Sequence, residues 1–129
     1  MPTSPERFPA ACGPALADLE RTRPGAVRVT WQDGPEPLLW LQDEATPSAV
    51  GVWVTGIAGS PEEVRELTER VQDAAVDLLW GAWPECPDHE GGHPLAAEVH
   101  DGAVAWACPR TGRVVAPVGE LPPPGGFSA

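Results

Sequence analysis

The chain contains no lysine, and its eight basic residues, all arginine, stand against 19 Asp and Glu for a net charge of −11 over 129 residues. Nucleic-acid binding runs on phosphate neutralisation by Lys and Arg, so this balance opposes a DNA or RNA partner. No apolar run approaches the roughly 18 to 20 residues of a membrane span, and Met1 to Phe8 lack the basic start and apolar stretch of a signal peptide. The expectation is a cytoplasmic protein that does not enter a membrane. Cysteine is scarce at three, Cys12, Cys86 and Cys108, too few and odd in number for a fully paired disulfide framework. Thiol chemistry or metal binding is the remaining use. Asparagine and tyrosine are also missing, which together with the absent lysine is the coding bias of a GC-rich bacterial genome.

What the chain has in excess is 17 Pro and 14 Gly, so a small core with many loops is expected. The length allows one compact domain or two miniature ones. Residues 1–13 carry three prolines and one large apolar side chain, Phe8, and read as a flexible arm. A short helix can begin at Pro14, with Ala15, Leu16 and Leu19 on its apolar side, and must stop at Pro24-Gly25. From Ala26 the period becomes two: Val27, Val29 and Trp31 alternate with Arg28, Thr30 and Gln32. Leu38 to Leu41 forms the second arm of a hairpin, and Val50, Val52 and Val54 alternate with Gly51 and Trp53 in a third strand. The three make an antiparallel meander.

Ser60-Pro61-Glu62-Glu63 has serine at the cap, proline in the first turn and glutamate three residues after the cap, the signature of a capping box. Val64, Leu67, Val71, Ala75 and Leu78 then line one stripe of a helix about 30 Å long that ends near Trp80-Gly81. Glu66 and Arg70 are spaced to pair on its wet side, and Glu62, Glu63, Glu66, Glu69, Asp73 and Asp77 follow the outer side, where they serve solubility. After a Pro/Gly/Cys/His loop, Leu95 to Val99 and Val104 to Cys108 form a second hairpin about the Asp101-Gly102 turn, and Val114-Val115 can add a short strand. The tail from 117 to 129 reads as disordered or polyproline-type. The fold class is therefore α+β, with a domain over 14–81 and a separate hairpin unit over 82–116. Of the six tryptophans, Trp80 and Trp83 are expected to close the long helix, and most of the six to be core. Trp53 points opposite to the valines, which makes it the candidate binding residue.

The chemistry lies in Cys86-Pro87-Asp88-His89 and Cys108-Pro109-Arg110-Thr111-Gly112. Thiolate and imidazole are both competent zinc ligands, and two intervening residues let Cys86 and His89 reach one ion from a tight turn. The two segments resemble the knuckles of zinc-ribbon and rubredoxin-type proteins, in which Cys-Pro-x-Cys-Gly turns its first and fourth residues toward one metal. The resemblance covers Trp83 to Gly112, with His89 in the fourth place of the first knuckle and Thr111, a non-ligand, in the fourth place of the second. It implies a zinc-ribbon-like hairpin. The missing ligand must come from elsewhere, with His93 first choice and His100 second. Cys86, His89, His93 and Cys108 would close a structural zinc site, with Zn as the cofactor. Buried thiols beside a solvated histidine loop are the plain alternative.

His89-Glu90-Gly91-Gly92-His93 also matches His-Glu-x-x-His, where two histidines hold zinc and the glutamate is general base. That motif needs a helix, and Pro87, Pro94 and two internal glycines oppose one. The α-β-β-β-α order resembles double-stranded RNA-binding domains in topology, against which the acidic balance stands. It is similar as well to small acidic secretion-chaperone-like domains that bind other proteins. The leading expectation is a non-catalytic, zinc-stabilised interaction or adaptor protein whose partner is another protein. The alternative is a metal-dependent hydrolase with His89 and His93 as ligands and Glu90 as base. A third, an acidic mimic of nucleic acid, needs carboxylates at phosphate-like spacing. Cys12 is read as a bystander thiol.

Overall fold

Among the described residues one long helix touches strands of both sheets. The computed structural model describes residues 10–32, 34–35, 37–54, 60–89 and 93–123. A 3-10 turn over Ala10–Cys12 leads into helix α1, Gly13–Thr22, with Pro14 in its first turn. Gly25, at φ 71°, ends the connection to the first sheet, because the left-handed region costs glycine nothing.

That sheet is an antiparallel meander of β1 (Val27–Gln32), β2 (Leu38–Asp43) and β3 (Ala49–Trp53), in the order β1-β2-β3. Val29 faces Leu41 and Trp31 faces Leu39, and Leu39 faces Val52 in turn. One sheet face thus carries Val27, Trp31, Leu39, Leu41 and Val52, all buried. The Asp43 carboxylate sets the second turn by accepting from the Ala45 amide and the Thr46 hydroxyl.

Helix α2 spans Pro61–Leu79 and starts at the capping box: the Ser60 hydroxyl oxygen accepts from the Glu63 amide, and the Glu63 carboxylate accepts from the Ser60 amide. Its buried side is Leu67, Thr68, Val71, Ala74, Ala75 and Leu78, one stripe at helical spacing. Arg70 does not take Glu66; its guanidinium donates to the Trp53 carbonyl at 3.0 Å. Trp80 caps the helix in the left-handed conformation, which turns its side chain away, and it is 91% exposed instead of closing the core.

The second antiparallel sheet is β4 (Ala96–His100), β5 (Ala103–Ala107) and β6 (Val114–Pro117), in that order. Asp101 and Gly102 both have positive φ, as a two-residue hairpin turn requires. The described residues therefore form an α+β fold, with two three-stranded antiparallel sheets and two α-helices. Helix α2 touches β2 and β3 on one side and β4 and β5 on the other.

The expected boundary at 81/82 is bridged by a single core running from Ala11 to Leu121. Residues at both expected loose ends belong to it: Cys12 is 0% exposed and Leu121 2%. The anchor is Asp18 of α1, itself 0% exposed. Its carboxylate accepts from Trp106 Nε1 (2.8 Å), the Gly119 amide (2.6 Å) and the Leu121 amide (2.9 Å). Arg21, one turn on, donates to the same carboxylate and to the Gly119 and Leu121 carbonyls. A buried charge held by a guanidinium and three N–H donors is a satisfied one. Its partners fix residues 119–121 against α1. Residues 1–9 and 124–129, the outer parts of the expected arm and tail, lie outside the described residues.

Candidate metal centre

The loop from Trp83 to Leu95 is closed at its neck by backbone bonds. The Leu95 amide donates to the Pro84 carbonyl and the Cys86 amide to the His93 carbonyl, so positions 86 and 93 sit side by side. Gln72 of α2 holds both ends, its amide donating to the Trp83 carbonyl (3.1 Å) and the Leu95 carbonyl (2.5 Å). Trp83 fills the space beneath, edge-on to Trp106 at 5.7 Å and bonded through its indole N–H to Thr22. At the far end of β5 the chain folds into a tight turn in which the Gly112 amide donates to the Cys108 carbonyl and the Cys108 amide to the Arg113 carbonyl. Gly112 adopts φ 78°, the left-handed position that such a turn reserves for glycine.

These two turns bring Cys86, His89, His93 and Cys108 together, with one ligand atom from each lying within 4.8 Å of all the others. His89 Nδ1 is the centre of the group, 3.5 Å from Cys86 Sγ, 3.6 Å from Cys108 Sγ and 3.0 Å from His93 Nε2. An imidazole nitrogen has one proton to donate or one lone pair to offer. Three neighbours exceed what its hydrogen bonding can use, whereas donor atoms sharing one cation crowd in this way. The four residues could hold a metal ion. Both cysteines are buried and the histidines half-buried.

The two thiols differ in their surroundings. Burial pushes the Cys86 thiol up. Burial acts on Cys108 in the same direction but is outweighed by hydrogen bonds from the Thr111 hydroxyl and the Thr111 and Arg110 amides, which draw it down. Thr111 thus supports the Cys108 sulfur through its hydroxyl and its amide.

A clamp joins the two turns beside the Cys/His cluster. Arg113 donates from Nε to Asp88 Oδ2 (2.5 Å) and from a terminal nitrogen to Asp88 Oδ1 (2.7 Å), the two-pronged pairing of guanidinium with carboxylate. That pairing holds the Asp88 carboxyl below its ordinary range.

Of the expected site residues, Cys86, His89, His93 and Cys108 meet. His100 does not, lying exposed by the β4-β5 turn with its Nε2 3.2 Å from Glu98. Trp53 is 49% exposed on the outer face of the first sheet and takes no part in the cluster. Glu90, the expected base of the alternative, lies outside the described residues, as do Gly91 and Gly92. Sequence reasoning missed Gln72, Asp88 and Arg113. Asp88 alone carried a signal, its place between two ligand candidates.

No family model, curated protein or solved structure matches this chain. Among the described residues no helix is long and apolar enough to cross a membrane.

Proposed function

We propose that the protein is a small acidic interaction or adaptor protein without catalytic activity, in which zinc staples the β4–β6 sheet to the rest of the core. The observation that carries this reading is the convergence of two sulfurs and an imidazole on His89 Nδ1. A tetrahedral zinc with bonds of about 2.3 Å to sulfur and about 2.0 Å to nitrogen separates its S and N ligands by about 3.5 Å and its N ligands by about 3.3 Å. The 3.5 and 3.6 Å sulfur–nitrogen distances match that edge, and the 3.0 Å nitrogen–nitrogen distance lies close to it. Mixed thiolate and imidazole donors favour zinc over magnesium, calcium or manganese, which take oxygen.

Two knuckles facing each other across a hairpin support kinship in form with zinc ribbons. Within such a site zinc supplies cross-linking: four protein bonds tie residues 86, 89, 93 and 108 without leaving a position for water. A closed set favours a structural role over the hydrolase reading, which needs an open position beside Glu90. Zinc of this kind contributes on the order of 10 kcal/mol of apparent folding free energy. The acidic surface fits a protein partner in the cytoplasm and opposes nucleic acid.

The test is elemental analysis of the purified chain beside its Cys86→Ser and Cys108→Ser variants. One zinc per chain, lost in both variants together with a lower melting temperature, is the expected result. A metal-free chain that melts at an unchanged temperature contradicts the proposal.

A further inference from the structure

The first sheet ends on β3, whose outer side pairs with no described strand. The Val54 amide donates to the Pro37 carbonyl across the hairpin, which sets the phase of the β2-β3 ladder. Hydrogen-bonded and non-bonded pairs alternate along antiparallel strands, so Val50 and Val52 aim their backbone groups at β2 while Ala49, Gly51 and Trp53 aim theirs outward. The Arg70 guanidinium, reaching the Trp53 carbonyl from α2, confirms that direction. The outward amides and carbonyls of Ala49 and Gly51 have no such cover among the described residues.

Between this edge and α2 runs a groove lined by Val50, Gly51, Trp53, Arg70, Asp73 and Asp77. Asp73 and Asp77 are exposed, stand one helical turn apart, and have no ion pair or hydrogen bond among the described residues. They lie on the core side of the sheet, where α2 packs. Trp53 lies on the opposite side, beside Leu38, its cross-strand neighbour, and near Trp40, whose ring covers Gly51.

We infer that the β3 edge takes an extended, cationic segment of another protein as a fourth strand. The inference rests on the interaction-protein reading and adds the chemistry of the partner. Main-chain bonds to Ala49 and Gly51 would supply the pairing, and side chains at alternate positions the selectivity. Arginine or lysine at every second position meets Asp73 and Asp77, and apolar residues between them lie beside Trp53. A second copy of this chain is opposed by charge, since each copy carries −11 and would bring its own edge carboxylates.

The test uses the zinc-loaded full chain and a capped peptide of about nine alternating Arg and Val residues. Amide exchange by NMR is followed together with tryptophan emission. Binding should slow exchange at Gly51 by about tenfold or more, shift the Trp53 emission and weaken with salt. The Asp73→Lys/Asp77→Lys variant should bind about tenfold more weakly or worse. Ala49→Pro removes an outward N–H without touching the β2 ladder, so it should lose the protection at an unchanged melting temperature. Absence of binding, equal binding of a Glu/Val peptide, protection elsewhere than β3, or a dimer that buries the edge would each overturn the inference. Zinc content and melting temperature are recorded on the same sample. A folded, zinc-loaded chain that ignores the peptide removes the edge proposal alone, whereas a chain without zinc removes the staple reading.

Discussion

The β1–β3 sheet and the β4–β6 sheet each have three antiparallel strands and share α2 as their cover, yet they are held in different ways. The first presents a continuous apolar face of Val27, Trp31, Leu39, Leu41 and Val52, and its turns are set by local chemistry such as the Asp43 carboxylate. The second has alanines at much of its buried surface, Ala97, Ala105, Ala107 and Ala116 among them, which bury little area. Long-range polar links make up the difference: Asp18 to Trp106 and residues 119–121, Gln72 to the loop neck, Asp88 to Arg113, and the Cys/His cluster. A small domain with a thin core needs such staples.

The largest expected effect separates the two sheets. Chelation should withdraw apparent stabilisation on the order of 10 kcal/mol, and amides of β4–β6 should lose exchange protection before those of β1–β3. Uniform loss across both sheets would erase the distinction. Next, Asp18→Ala strands the Trp106 indole N–H and two amides and leaves Arg21 without its carboxylate. Urea unfolding should show a loss of about 3 to 5 kcal/mol, against an unaltered midpoint if the carboxylate were incidental. Ser60→Ala removes only the α2 cap and should cost about 1 kcal/mol, a shift of a few degrees in a thermal melt, with both sheets affected alike.

The smallest effect concerns thiols. Burial pushes Cys12 up to about 11, from an ordinary 9.0. Being raised in the folded state, this thiol adds stability in full below its unfolded value and loses it as pH climbs from about 9 toward 11. At pH 8 its thiolate fraction is about 100-fold below that of a free cysteine. A thiol reagent should therefore count two fast cysteines after chelation, and a third only on unfolding. Fast labelling of all three would place Cys12 outside the core.

Much of the comparison was legible in the residues themselves. The capping box at Ser60, the valine alternation of β3 and the Cys-Pro spacing all act over a few residues, and local physics decides them. The clustering of Cys86, His89, His93 and Cys108 was readable because thiols and imidazoles are few in this chain and sit close in its sequence. Asp18 was not readable: on a short helix it looks like a solvent-facing carboxylate, and its partners lie 88 to 103 positions along the chain. The tail from 117 looked loose for the same reason, since its anchor belongs to α1. Trp80 misled in the other direction, because a large apolar side chain promises burial until the left-handed cap turns it outward.

X-ray absorption at the zinc edge of the purified protein probes the coordination shell itself. The account predicts two sulfur neighbours at about 2.3 Å and two nitrogen neighbours at about 2.0 Å. A shell containing oxygen in place of sulfur, or no bound zinc at all, would contradict it.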